Sequence, residues 1–197
     1  ANFPARRRVL FWLALLILPN LASARLDLSA AVIERLDNGL TVIVLEEPAF
    51  PLVSVQVVYR SGAKHEPLGG TGLAHFVEHM AFRSTENFPD TQVVSSIYAA
   101  GGEWHGYTWL DQTTYFATVP KGELALLLGI EADRMARVLI PEADVEAERG
   151  AVLTEMHGYE NDPLTVLQDY VLYLSFLAHP YRNNTIGWES DVAGIQH

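Results

Sequence analysis

The tripeptide DNG at residues 37–39 lies between two apolar-rich runs, AVIERL at 31–36 and LTVIVLEE at 40–47. It constrains the fold more than any other feature, because Asn-Gly between such runs favours a tight turn that joins two antiparallel strands. A third run, LVSVQVVYR at 52–60, has apolar residues at alternating positions and predicts another strand. The aromatic and β-branched residues of GYTWLDQTTYFATVP, at 106–120, predict a further β-rich segment.

Helical patterns accompany these strands. The predicted helices cover residues 72–82, 88–102, 123–140, 141–160 and about 163–178. Strands joined by a tight turn and then mixed with helices are typical of α+β proteins. We therefore predict an α+β domain in which an antiparallel sheet packs with helices.

The N-terminal residues have a different character. Three arginines at residues 6–8 precede ten apolar residues at 9–18 and an Ala-Ser-Ala site at 22–24. This order predicts a secretory signal peptide over residues 1–24, followed by a domain over residues 25–197. Ten apolar residues are about half of what a bilayer-spanning helix needs. We therefore expect no stable membrane anchor after signal cleavage, and a periplasmic or secreted location.

Charge and cysteine content exclude several classes of function. Asp and Glu number 24 against 13 Lys and Arg, which gives a net charge of −11. No basic patch is present, so nucleic acid is not an expected partner. The chain contains no cysteine, which excludes disulfides, thiol catalysis and cysteine-based zinc sites. A bound metal would need His and carboxylate ligands.

The segment GLAHFVEHMAF at residues 72–82 holds the densest titratable chemistry of the chain. On a helix, His75 and His79 point the same way, because positions i and i+4 share a face. Glu78 borders that face, close enough to act on a water held by a metal. The order His-x-x-Glu-His is the reversed zinc-peptidase motif. The simpler alternative is a helix that carries ordinary surface polar groups.

A second candidate cluster lies in ERGAVLTEMHGYE, at residues 148–160. Glu148 and Glu155 are seven residues apart, so on a helix they share one face. Taken alone, this spacing favours a solvated acidic stripe over a ligand pair.

These motifs resemble the pitrilysin/insulinase family of zinc peptidases, in particular its processing-peptidase-like bacterial members. The resemblance rests on three segments, GTGLAHFVEHMAFRSTENFP, AAGGEWHGYTWLDQTTYF and VEAERGAVLTEMHGYENDP, in the same order and with compatible spacing. It implies a metalloenzyme half-domain that binds Zn²⁺ through His75, His79 and Glu155. It also implies that Glu78 is the general base of a zinc endopeptidase and that Glu148 supports the catalytic site.

The resemblance also bears on the substrate and on a partner. It implies that an extended peptide binds along a strand near residues 105–115, where His105 and Thr108 would contact it. Family members usually have Asn at the position of His105. They also have a second, similar domain that encloses the substrate. This sequence lacks that domain, so we expect a C-terminal half or a partner subunit to supply it.

Two alternatives to a peptidase half remain open at this point. The first is a non-catalytic or partner-dependent subunit of a split peptidase, which would act in binding or assembly. The second is S-ribosylhomocysteinase, which shares the reversed motif. That enzyme relies on a cysteine, and this chain has none.

Overall fold

The computed structural model describes residues 28–196, which fall into two compact units, residues 28–50 and residues 51–196. The predicted signal peptide lies outside the described residues. The first unit is a hairpin in which β1 (Val32–Arg35) and β2 (Thr41–Val44) pair antiparallel. The hairpin predicted from the DNG tripeptide is therefore confirmed.

The turn of this hairpin depends on Gly39, whose φ is +89°. Its N–H donates to the carbonyl of Leu36 at 2.8 Å, and the N–H of Leu36 donates to the carbonyl of Leu40 at 2.8 Å. The Asn38 side chain accepts from the N–H of Leu40 at 3.0 Å. A left-handed residue at this position suits Gly, because a Cβ atom is disfavoured there.

The second unit contains a three-stranded antiparallel sheet with the order β3-β5-β4. Its strands are β3 (Leu52–Tyr59), β4 (Glu103–Thr108) and β5 (Thr113–Pro120). The prediction of one strand near residues 105–115 was wrong, because a turn at 109–112 divides this segment into β4 and β5. The N–H of Trp109 closes the turn by donating to the carbonyl of Gln112 at 2.7 Å.

Within residues 51–196 there are six α-helices, of which the first five follow the predicted order and the sixth was not predicted. They are α1 (Leu73–Met80), α2 (Gln92–Ala99), α3 (Leu124–Arg137), α4 (Glu142–Glu160), α5 (Pro163–Ser175) and α6 (Glu189–Ala193). The sheet and these helices confirm the predicted α+β class. Within residues 28–196, no helix combines the length and the apolar character that crossing a membrane requires.

Two apolar clusters hold the second unit together. One joins α1, α4, α6 and the loop before α6; its buried members are Phe76, Met80, Val145, Val152, Met156, Ile186 and Val192. The other joins α2, α3 and β5; its buried members are Val93, Ile97, Ala117, Val119, Leu127 and Ile130. The first cluster fixes α1 against α4, the two helices that carry the titratable motifs.

The start of α1 is held by a carboxylate and a close backbone approach. Glu66 accepts from the N–H of Gly72 at 2.8 Å and from the N–H of Ala74 at 2.6 Å, which satisfies amides that have no partner within the helix. Gly72 has a φ of +86°, and a Cβ atom there would lie 2.4 Å from the carbonyl oxygen of Ile186. Only glycine therefore fits where α1 begins.

Candidate active site

Packing of α1 on α4 brings together three side chains that are distant in sequence. The Nε2 atom of His75 lies 3.7 Å from Oε2 of Glu155, and the Nε2 atom of His79 lies 3.3 Å from the same oxygen. The two imidazole rings meet edge to face, with centroids 4.7 Å apart. Among residues 28–196, this is the only group of three His or carboxylate side chains whose ligand atoms converge, all within 4.8 Å.

This donor set fits a zinc ion. Two imidazole nitrogens and one carboxylate oxygen are the protein ligands of many catalytic zinc sites, which leave a fourth position open. All three side chains are partly buried rather than solvated, with 12%, 24% and 32% exposure for His75, His79 and Glu155. The acidic-stripe alternative for Glu155 does not describe this arrangement, because its carboxylate faces the two imidazoles.

The two histidines have opposite electrostatic environments. Burial and the charge of the neighbouring His79 together lower the pKa of His75 to about 4, so His75 is neutral at pH 7. Burial also acts to lower the pKa of His79, but its hydrogen bonds to Glu148 and Glu155 outweigh burial and raise that pKa to about 9. The hydrogen bond from His79 is also the main cause that lowers the pKa of Glu155 to about 2.

A chain of polar contacts holds His79 through its Nδ1 atom. Its Nδ1 lies 2.9 Å from Oε2 of Glu148, and Arg83 donates to the other oxygen of Glu148 at 2.8 Å. Arg83 also donates to Asp144 at 2.8 Å. The contact of Glu148 with Nδ1 directs Nε2 of His79 toward Glu155, as the carboxylate partners of metal-binding histidines do.

Glu78 lies on the buried side of the site. It is 7% exposed, and Oε2 accepts a hydrogen bond of 2.7 Å from the hydroxyl of Thr108. Burial raises the pKa of Glu78, and the hydrogen bond from Thr108 partly opposes this. A Cβ atom at Gly106 would lie 2.8 Å from Oε1 of Glu78, so the absence of a side chain at Gly106 makes room for the carboxylate.

The two residues predicted to bind substrate lie in different environments. Thr108 is buried, and its hydroxyl is engaged with Glu78, so the side chain supports the carboxylate. His105 is exposed on β4, and its ring stacks on Phe116 of β5 with centroids 5.4 Å apart. A peptide contact by either residue stays a prediction.

A cavity lies beside Glu78, between α1 and β4. Its volume is about 370 Å³, and its lining includes Glu78, His79, Trp104, His105 and Gly106. It therefore joins the candidate base to the edge strand of the sheet.

The sequence interpretation missed three polar residues of the site, namely Arg83, Asp144 and Tyr159. Arg83 lies four residues after His79, and Tyr159 lies four residues after Glu155, so both follow a candidate ligand on the same helix face. The hydroxyl of Tyr159 donates to Oε1 of Glu155 at 2.8 Å, and this bond raises the pKa of Tyr159 to about 12. The i+4 spacing was the signal that could have identified both residues.

Comparison with known proteins identifies a single family. The sequence profile of the insulinase family, peptidase family M16, matches residues 41–188. A zinc protease of Mycobacterium leprae is 33% identical over 160 residues, which cover 81% of this chain and 36% of that protein. Subunit beta of the bovine (Bos taurus) mitochondrial-processing peptidase is 32% identical over 152 residues, which cover 77% of this chain and 30% of that protein.

A solved structure shares the fold. The crystal structure of a protease from Helicobacter pylori superposes with a TM-score of 0.78 and 28% sequence identity, over 84% of this chain and 40% of that chain. The chain thus spans between 30% and 40% of the length of these similar proteins.

Proposed function

The chain belongs to the insulinase family of peptidases, and on this basis we propose that it carries the metal-binding half of a zinc-dependent endopeptidase. The observation that carries the proposal is the convergence of His75, His79 and Glu155, with ligand atoms within 4.8 Å of one another. Glu78, one residue before His79, supplies the carboxylate that peptide hydrolysis needs beside the metal.

In this proposal, the three converging side chains would hold the ion, and Glu78 would act as general base and then as general acid. A bound zinc ion supplies Lewis-acid polarisation of the scissile carbonyl and of the attacking water. Glu78 takes the proton of that water and delivers it to the leaving amine. Thr108 keeps the carboxylate of Glu78 in one orientation through the 2.7 Å hydrogen bond.

The polar contacts at Nδ1 of His79 support its role as a ligand. Glu148 occupies Nδ1, so Nε2 is the nitrogen left for the metal. Arg83 holds both Glu148 and Asp144, and so restricts how far Glu148 moves from the imidazole. These residues orient a ligand and do not touch the reacting atoms.

We propose that the substrate is an extended peptide that adds to the free edge of β4. Within residues 51–196, β4 pairs with β5 along one edge, and the cavity beside Glu78 borders this strand. An edge strand binds a peptide through its unpaired backbone groups. His105, exposed on β4, is a candidate contact for such a peptide.

We further propose that a second domain or a partner chain completes the enzyme. The bovine relative is named as a subunit of a peptidase, and the chain covers 30% of it. A partner-dependent subunit is accordingly the second candidate function. The predicted signal peptide at residues 1–24 leads us to propose a periplasmic or secreted location.

Metal analysis and a quenched fluorescent peptide assay test the proposal on wild type and Glu78→Gln. Glu78→Gln should bind one zinc ion per chain as wild type does, and should lose turnover by about 10²–10⁴-fold. The control is Glu123→Gln, because Glu123 is an exposed carboxylate at the start of α3. A chain that binds no zinc, or a Glu78→Gln variant with wild-type turnover, would contradict the proposal.

The assay is repeated with the second family domain, in cis or as a separate chain. Zinc binding by the chain alone, with cleavage only after this addition, would favour the partner-dependent subunit. Zinc binding without cleavage in either case would favour a non-catalytic subunit.

A further inference from the structure

The two oxygens of Glu155 have different partners. Oε2 faces the histidines, at 3.7 Å from Nε2 of His75 and 3.3 Å from Nε2 of His79. Oε1 accepts a hydrogen bond of 2.8 Å from the hydroxyl of Tyr159. One oxygen is therefore directed at the candidate metal position, and the other is held by a hydrogen bond.

Helix α4 fixes this division. Tyr159 follows Glu155 by one helical turn, so the two side chains lie on the same face. Tyr159 is 47% exposed, and its hydroxyl reaches the carboxylate of Glu155. Among the described residues, its hydroxyl has no hydrogen-bond partner other than Glu155.

The division of oxygens matters because a carboxylate can bind a metal through one oxygen or two. A catalytic zinc site with three protein ligands leaves one coordination position open for water or substrate. A second oxygen from Glu155 would compete for that position. A hydrogen bond to the second oxygen prevents this and fixes the direction of the first.

We propose that Tyr159 is a positioning residue that keeps Glu155 a ligand through one oxygen. This inference rests on the proposed zinc site and extends it to a residue that has no role in the proposed reaction. Tyr159 then does for Glu155 what Glu148 does for His79, since each occupies the ligand atom that does not face the metal position.

The test removes one hydroxyl with Tyr159→Phe and measures metal binding rather than turnover. Competition against a chromophoric chelator gives the zinc Kd, which should rise about tenfold, as for other outer partners of metal ligands. In the Co²⁺-loaded chain, the visible bands should weaken, because Glu155 becomes free to bind through both oxygens and the coordination number rises. Neither change follows from loss of a surface hydrogen bond.

The matched control is Tyr170→Phe, which removes a hydroxyl from a tyrosine that is 62% exposed on α5. Its zinc Kd and cobalt spectrum should equal those of wild type. The proposal requires both changes in Tyr159→Phe. A wild-type Kd, or a raised Kd with an unchanged cobalt spectrum, overturns it while the zinc site stands. Absence of zinc binding by wild type overturns the proposed function, and the positioning role with it.

Discussion

Zinc binding at pH 5.5 should release about one proton per ion, because the structure separates the pKa values of the two histidines. Both imidazoles must be neutral to bind a metal. The pKa of His75 is about 4, so it carries no proton at pH 5.5. The pKa of His79 is about 9, so it is fully protonated. Glu155, with a pKa of about 2, is already ionised.

The expected number of released protons follows from these pKa values. Two unperturbed histidines with a pKa of about 6.5 would together release about 1.8 protons at pH 5.5. At pH 7, the raised pKa of His79 means that zinc displaces a proton at a cost of about 2–3 kcal/mol. Raising the pH weakens the competition between the proton and zinc for His79. The zinc Kd should therefore fall about tenfold per pH unit between pH 5 and 7.

Isothermal titration calorimetry in buffers with different ionisation enthalpies counts the protons directly. The control is His157→Ala, which removes an exposed histidine of α4 that lies 3.8 Å from Glu189 and does not belong to the converging group. This variant should leave the count at about one. A count near two at pH 5.5, or a Kd that does not change between pH 5 and 7, would refute the electrostatic description of the site.

Three further predictions concern the base and the core. Thr108→Val removes the hydrogen bond that lowers the pKa of Glu78, so the acidic limb of the kcat/KM profile should move to higher pH; an unmoved limb would contradict this. Gly106→Ala places a Cβ atom 2.7 Å from Phe82 and 2.8 Å from Glu78. Steady-state kinetics should show a loss of about 100-fold in kcat/KM, and wild-type turnover would exclude this contact. Val152→Ala should lower the free energy of unfolding in urea by about 2 kcal/mol, since Val152 is fully buried; a change within 0.5 kcal/mol, the range typical of surface sites, would contradict this burial.

Local structure was largely predictable from the sequence. The hairpin, the helical segments and the common face of His75 and His79 all depend on backbone periodicity and on turn residues within a few positions. The turn at residues 109–112 was missed, because its residues lack the Gly or Asn-Gly signal that marked the first hairpin. Its closing hydrogen bond became visible only in the folded chain.

The spacing of Glu148 and Glu155 fits a helix face, but their partners depend on tertiary structure. The resemblance named Glu155 as a ligand, whereas the residues alone favoured an acidic stripe. Glu155 lies 155 − 79 = 76 residues after His79, and helical periodicity carries no information over that distance. The apolar contacts of Phe76 and Met156 in the core decide how α1 meets α4.

The sequence by itself determined which side chains share a helix face, because backbone hydrogen bonding within each helix fixes that periodicity. Only the tertiary structure decided that Glu155 meets His75 and His79, that Thr108 holds Glu78, and that Tyr159 takes one oxygen of Glu155. Contacts between elements arise from burial of apolar side chains, and that burial is a property of the whole folded unit rather than of any short segment.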